Sequence, residues 1–218
     1  MLQPKQCLII ASLIVAAIGA TAGCGGGIQL MRAASSTTLA ATPGKALIVF
    51  IGSRRIETGV KNVLWLADAR GQYLGMMEHD TWQTVELEPG EHMLFGWFAS
   101  GPRIDRARFP AEAGGMLQLD VEAGRTYFVR VTAAPNMGFV PNAVLIPLTP
   151  ENPDWAERER WLARRDRMEP IAQNGQAFFE QPENASLIRQ RIAMLMDIFQ
   201  RLSPRDRARH MIAQNDGL

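Results

Sequence analysis

Residues 85–98 read VELEPGEHMLFGWF and residues 119–131 read LDVEAGRTYFVRV. In both, apolar residues alternate with polar ones, the alternation breaks at an acid, a proline or alanine and a glycine, and then it resumes. Alternation with period two places successive side chains on opposite faces of an extended chain. Each stretch therefore predicts two strands joined by a tight turn. Proline holds φ at about −65° and glycine tolerates positive φ, so Pro89 and Gly90 suit the two central positions of a type II turn. Ala123 and Gly124 repeat the device without the proline. Both are read as β-hairpins.

The flanking sequence extends the pattern. ALIVFI (residues 46–51) is apolar throughout, as a strand buried on both faces would be. NVLWLAD (62–68) precedes a turn at Asp68 and Gly71, and NAVLIPL (142–148) holds Pro147, which places that strand at a sheet edge. Short strands with turn glycines at regular spacing predict an antiparallel β-sandwich of about eight strands over residues 45–149. Val85 and Leu87 mark one inward face; Tyr127, Val129 and Val131 mark another. The strand after Gly90 is apolar on both faces, with Leu94 and Phe98 on one and Phe95 and Trp97 on the other. Its second face needs a cover. The C-terminal segment is the expected one; left open, Phe95 and Trp97 become a candidate partner-binding patch.

The sequence order PGEH, then GRTY, is similar to a family of small bacterial lipoproteins built on one β-sandwich of unassigned role. The matching residues are Pro89, Gly90, His92, Gly124, Arg125, Thr126 and Tyr127, and the resemblance covers roughly 100 residues, a common sandwich size. It implies a sandwich and an envelope location. It implies no activity and carries over no catalytic residue.

The N-terminus points the same way. Lys5 is followed by no charged residue until Arg32, and the first acid is Glu57. The apolar run over residues 7–22 is shorter than the about 20 residues a membrane span needs and ends in TAGC. Small residues before a cysteine match the bacterial lipoprotein signal at Ala22, Gly23 and Cys24, with Thr21 where leucine is preferred. The leading expectation is a signal peptide over 1–23, a lipid on Cys24, and a flexible Gly/Ala/Ser/Thr tether over 24–44. Cleavage after Ala22 and an uncleaved span over 7–31 stand as alternatives. The only two cysteines are Cys7 and Cys24, so a lipidated mature chain has no free thiol and no disulfide.

Residues 150–218 change period. Asp154 is a candidate N-cap, and Asp154 and Arg158, then Glu157 and Arg160, are spaced for ion pairs along a helix carrying Trp155, Trp161, Leu162 and Met168. ASLIRQRIAMLMDIFQRL (185–202) carries an apolar seam of Ile188, Ile192, Leu195, Phe199 and Leu202. Ser203, Pro204 and Asp206 form an N-terminal signature for a further helix. The expected fold class is thus α+β, a sandwich followed by C-terminal helices that pack on it.

Chemistry is sparse. Past residue 24, the 22 basic and 22 acidic residues balance, which argues against a charge-driven partner such as duplex DNA. His79, His92 and His210 show no metal-ligand spacing. No cofactor, metal or small-molecule substrate is indicated, and no catalytic group. Arg103, Arg106 and Arg108, in the long loop after Ser100, are a candidate anion or partner contact. The expectation is a non-enzymatic envelope protein facing the periplasm, anchored to the membrane through Cys24. The alternative is an accessory subunit of an envelope or secretion assembly that binds a protein through the helical seam.

Overall fold

The computed structural model describes residues 29–52, 62–78, 80–100, 114–134 and 142–218. Among them are eleven strands in two sheets and four α-helices. The strands are β1 (Met31–Ala33), β2 (Ala46–Gly52), β3 (Asn62–Asp68), β4 (Tyr73–Met77), β5 (Thr81–Leu87), β6 (Gly90–Ser100), β7 (Gly114–Val121), β8 (Thr126–Ala134), β9 (Asn142–Leu148), β10 (Asp166–Pro170) and β11 (Met211–Ile212). The helices are α1 (Arg158–Arg164), α2 (Ala172–Phe179), α3 (Pro182–Arg201) and α4 (Pro204–Ala208). The six-stranded sheet runs β1-β10-β5-β2-β8-β9 and the five-stranded sheet β11-β7-β6-β3-β4.

The fold class is α+β with sandwiched sheets, but the sheets are mixed. β2 runs parallel to β8, β10 to β5 and β11 to β7; the remaining pairs are antiparallel. The cause lies in the two stretches with the shared grammar. They are not hairpins. β5 belongs to one sheet and β6 to the other, and the same holds for β7 and β8. Pro89 with Gly90, and Ala123 with Gly124, turn the chain across the core instead of back along it. Gly124 has φ +78°, a conformation disfavoured for other residues, and its N–H donates to the Lys45 carbonyl at 2.8 Å. The Asp68–Gly71 turn does make a hairpin, with the Asp68 carboxylate accepting from the N–H groups of Arg70 and Gln72.

The core between the sheets holds Ile48, Phe50, Leu64, Leu94, Phe98, Leu117, Tyr127 and Val129, with Val85 and Leu87 on the inward face expected of them. Every residue of β2 is buried, as its unbroken apolar run requires. Both outer faces are also covered. α2 and α3 lie on the five-stranded sheet, and their Phe178, Phe179, Ile188, Ile192, Leu195 and Phe199 meet Trp65, Phe95 and Trp97. Trp155, Trp161 and Leu162 lie on the six-stranded sheet over Leu47, Val49, Ile51 and Phe128.

Residues 150–218 therefore do more than cap the sandwich. β10 enters the six-stranded sheet between β1 and β5, and β11 extends the other beside β7. The charged helix is short: one 3₁₀ turn, then α1, then the chain turns extended at Arg165 and Met168 falls in a strand. Asp154 makes no side-chain cap; its carboxylate pairs with Arg130 instead of Arg158, while Glu157 and Arg160 do pair. Ser203 caps α4 as expected, accepting from the Asp206 N–H at 3.2 Å.

Residues 29–44, expected as tether, are docked from Gln29 onward. Leu30 and Met31 are buried, β1 pairs with β10, and the Ile171 N–H donates to the Leu30 carbonyl at 2.8 Å. Leu39 and Ala41 pack on the six-stranded sheet, and Glu86 accepts from both the N–H and the hydroxyl of Thr42. A handful of buried apolar side chains outweighs the disordering tendency of the Gly, Ser and Thr residues between them.

Candidate functional site

β9 is the margin of the six-stranded sheet, as Pro147 requires. The register pairs Phe128 with Leu148, Arg130 with Ile146 and Thr132 with Val144. The Thr126 N–H and carbonyl, on the same side of β8, both bond to Leu218. By strand parity the main-chain groups of Ala143, Leu145 and Pro147 therefore point away from β8. Proline has no N–H, so its ring sits where no ladder bond is lost, and its carbonyl accepts from Asn152 Nδ2 at 2.9 Å.

Facing this margin is β11, the margin of the other sheet. Its partner is β7, reinforced by the Gln118 N–H donating to the His210 carbonyl at 2.8 Å. Between the two margins lies an open groove of about 880 Å³. Its floor is Leu145, Ile146 and Ile212, and its rim carries Glu91, Asp120, Glu151 and Asp216 against Arg209 and His210. Burial pushes the His210 imidazole below its ordinary pKa of 6.5, against an opposing pull from the Met116 backbone. Its Nδ1 has no hydrogen-bond partner among the described residues.

The C-terminus walls one end. The Tyr127 hydroxyl donates to the Gln214 carbonyl at 3.0 Å and accepts from the Glu122 N–H at 2.9 Å. Arg125 donates to the Gly217 carbonyl, and Gln214 to Asp120. The strap from His210 to Leu218 thus ties the two sheets at the second crossing. The groove combines the outward margin of β9, an apolar floor and a largely acidic rim. That is the chemistry of binding an extended segment. Among the described residues, no group of three or more His, Cys, Asp or Glu is arranged to hold a metal ion.

The residues singled out in the sequence fall elsewhere. Phe95 and Trp97 are 0% and 1% exposed beneath α2 and α3, so they are core and not a partner-binding face. The indole of Trp97 stacks on Phe179 with centroids 6.1 Å apart. Their cover is the expected one, the C-terminal segment. Cys24, His79, Arg103, Arg106 and Arg108 lie outside the described residues. The groove was missed because its lining comes from positions as far apart as Glu91 and Asp216, none in a local motif. The one signal that pointed to it was Pro147.

No protein-family model, curated protein or solved structure matches this chain.

Proposed function

We propose that this chain is a bacterial envelope lipoprotein, anchored through lipid on Cys24 and facing the periplasm, with a non-enzymatic structural or binding role. The observation that carries the reading is the TAGC sequence at the end of a charge-free apolar run. Two or three acyl chains on one cysteine give stable anchoring where a single chain is marginal. Among the described residues no helix is long and apolar enough to cross a membrane. The groove between β9 and β11 is the binding surface this reading uses.

The test is Cys24→Ala with membrane fractionation and labelled palmitate. The reading expects the variant to lose the label and to leave the membrane fraction. A variant that stays in the membrane unlabelled, together with an unlabelled wild type, overturns it. The alternative, an accessory subunit contacting its partner through the helical seam, has to contend with the packing. Ile188, Ile192, Leu195 and Phe199 are buried against the protein's own sheet, and a partner would have to displace it.

A further inference from the structure

We infer that the anchored protein stands on the membrane by one edge of its sandwich, the β1, β4 and α2 edge, and holds the β9–β11 groove away from the lipid. The inference rests on the lipid-anchor reading above, and its second support is topological.

The chain joins the fold at Gln29. The Gln29 carbonyl accepts from Asn174 Nδ2 at 2.8 Å, the Leu30 carbonyl accepts from the Ile171 N–H and the Tyr73 hydroxyl, and Met31 is buried. Between Cys24 and Gln29 lie Gly25, Gly26, Gly27 and Ile28. Five peptide steps reach at most about 18 Å, whatever their conformation. A lipid on Cys24 therefore keeps Gln29 close to the headgroups.

The surface around Gln29 suits that position. α2, which carries Asn174, reads AQNGQAFF and has no charged residue. Its Ala172, Gln173 and Ala177 are exposed. Neighbouring β1 carries Arg32, mostly exposed and ion-paired with Glu169 of β10, so that corner of the edge has no net charge. An uncharged helix face beside a neutralised Arg32–Glu169 pair meets headgroups without net repulsion; the exposed Glu180 sits at the far end of α2 from its Gln29 contact.

The strand order then fixes where the groove is. In the six-stranded sheet β1 is one margin and β9 the other, five strand spacings or about 24 Å apart. In the other sheet β4, beneath α2, is opposite β11. Both sheets put the anchored margin and the groove margin at opposite ends. The occupant of the anchored edge is the bilayer surface; the groove and its acidic rim face water, clear of anionic lipid.

The test uses the lipidated full chain in vesicles of phosphatidylethanolamine and phosphatidylglycerol. A lipidated chain has no free thiol, so Gln173→Cys and Glu151→Cys each give one labelling site, at the anchored edge and at the groove. Both residues are exposed. With a fluorophore on the thiol and a headgroup-level quencher in the vesicle, the label at 173 is expected to lose most of its emission and the label at 151 almost none. A long Gly-Ser insertion between Ile28 and Gln29 should abolish the difference. Mass spectrometry of the same preparation reports acylation of Cys24. Acylated protein with both labels quenched alike, or with 151 quenched more, overturns the edge-on arrangement and leaves the anchor standing. Protein without acyl groups overturns both.

Discussion

The two outer faces of the sandwich are covered by opposite means. On the five-stranded sheet, α2 and α3 lay down an apolar seam over Trp65, Tyr73, Phe95 and Trp97. Trp65 stacks on Phe178 with centroids 5.1 Å apart, and Phe179 touches Trp65, Tyr73 and Trp97. The indole N–H groups of Trp65 and Trp97 have no partner among the described residues. On the six-stranded sheet the cover is thin and charged. Arg158 lies 3.9 Å over the Trp155 ring, Arg130 and Arg165 flank Trp161, and Arg167 lies over Trp82. There the Trp82 indole donates to the Arg165 carbonyl at 3.1 Å. One face is held by area and shape, the other by guanidinium stacking over fewer apolar contacts. The first should tolerate salt and resist truncation poorly; the second should be the weaker and the more sensitive to its charges.

The strongest test of that difference is Phe179→Ala, which removes a buried ring at the centre of the helix face. A loss of about 3–5 kcal/mol is expected in denaturant unfolding. Gly175→Ala attacks the same face from the other direction. A Cβ there would overlap the Tyr73 ring, so overpacking should take about 1–3 kcal/mol. On the other face, Trp161→Ala removes a partly buried ring and should cost about 2 kcal/mol, roughly half the loss of a fully buried one. A Trp161 variant that loses as much as the Phe179 variant would erase the contrast. Arg158→Met keeps the side-chain volume and removes the charge. It should lose about 0.5–1 kcal/mol, and the loss should shrink in high salt if desolvation around the ring is incomplete.

The smallest effects are in pH, where the faces titrate at opposite ends. Burial raises the Tyr73 pKa above its ordinary 10.0, so its contribution is full below pH 10 and is lost as pH rises. The two Thr42 hydrogen bonds, helped by Lys45, lower the Glu86 pKa below its ordinary 4.5. Its contribution is present above pH 4.5 and is lost as pH falls. Tyr73→Phe should flatten the alkaline limb of the stability profile, leaving the share of Tyr127, whose pKa burial also raises; Glu86→Gln should flatten the acid limb. Thermal unfolding across pH reads both. An alkaline limb unchanged in Tyr73→Phe would show that the helix face admits water around that hydroxyl.

Local pattern carried much of the fold. Alternation located the inward faces of β5 and β8, the unbroken run identified β2 as buried, and Ser203 with Pro204 marked the start of α4. β10 was hidden because DRMEP has no strand alternation; it pairs as a strand because β1 and β5 leave a place between them. β11 is two residues long and owes its existence to β7. α2 begins with no side-chain cap and contains glycine, so no start signal announced it. The groove was legible at Pro147 alone, since its acids, Arg209 and His210 are brought together by packing.

By itself, the sequence determined which segments are extended, which face of each turns inward, where the chain is free of charge, and that the strand after Gly90 needed two partners. Those are properties of side chains and of spacing along the chain. Tertiary structure alone decided that Pro89 with Gly90 and Ala123 with Gly124 carry the chain from one sheet to the other, that residues 29–33 belong to the fold, and that Phe95 and Trp97 are core. Main-chain hydrogen bonds are the same for every residue but proline, so alternation specifies a face without naming the neighbouring strand. The neighbour is chosen by which arrangement buries every apolar face at once, and that choice is made only when the whole chain has packed.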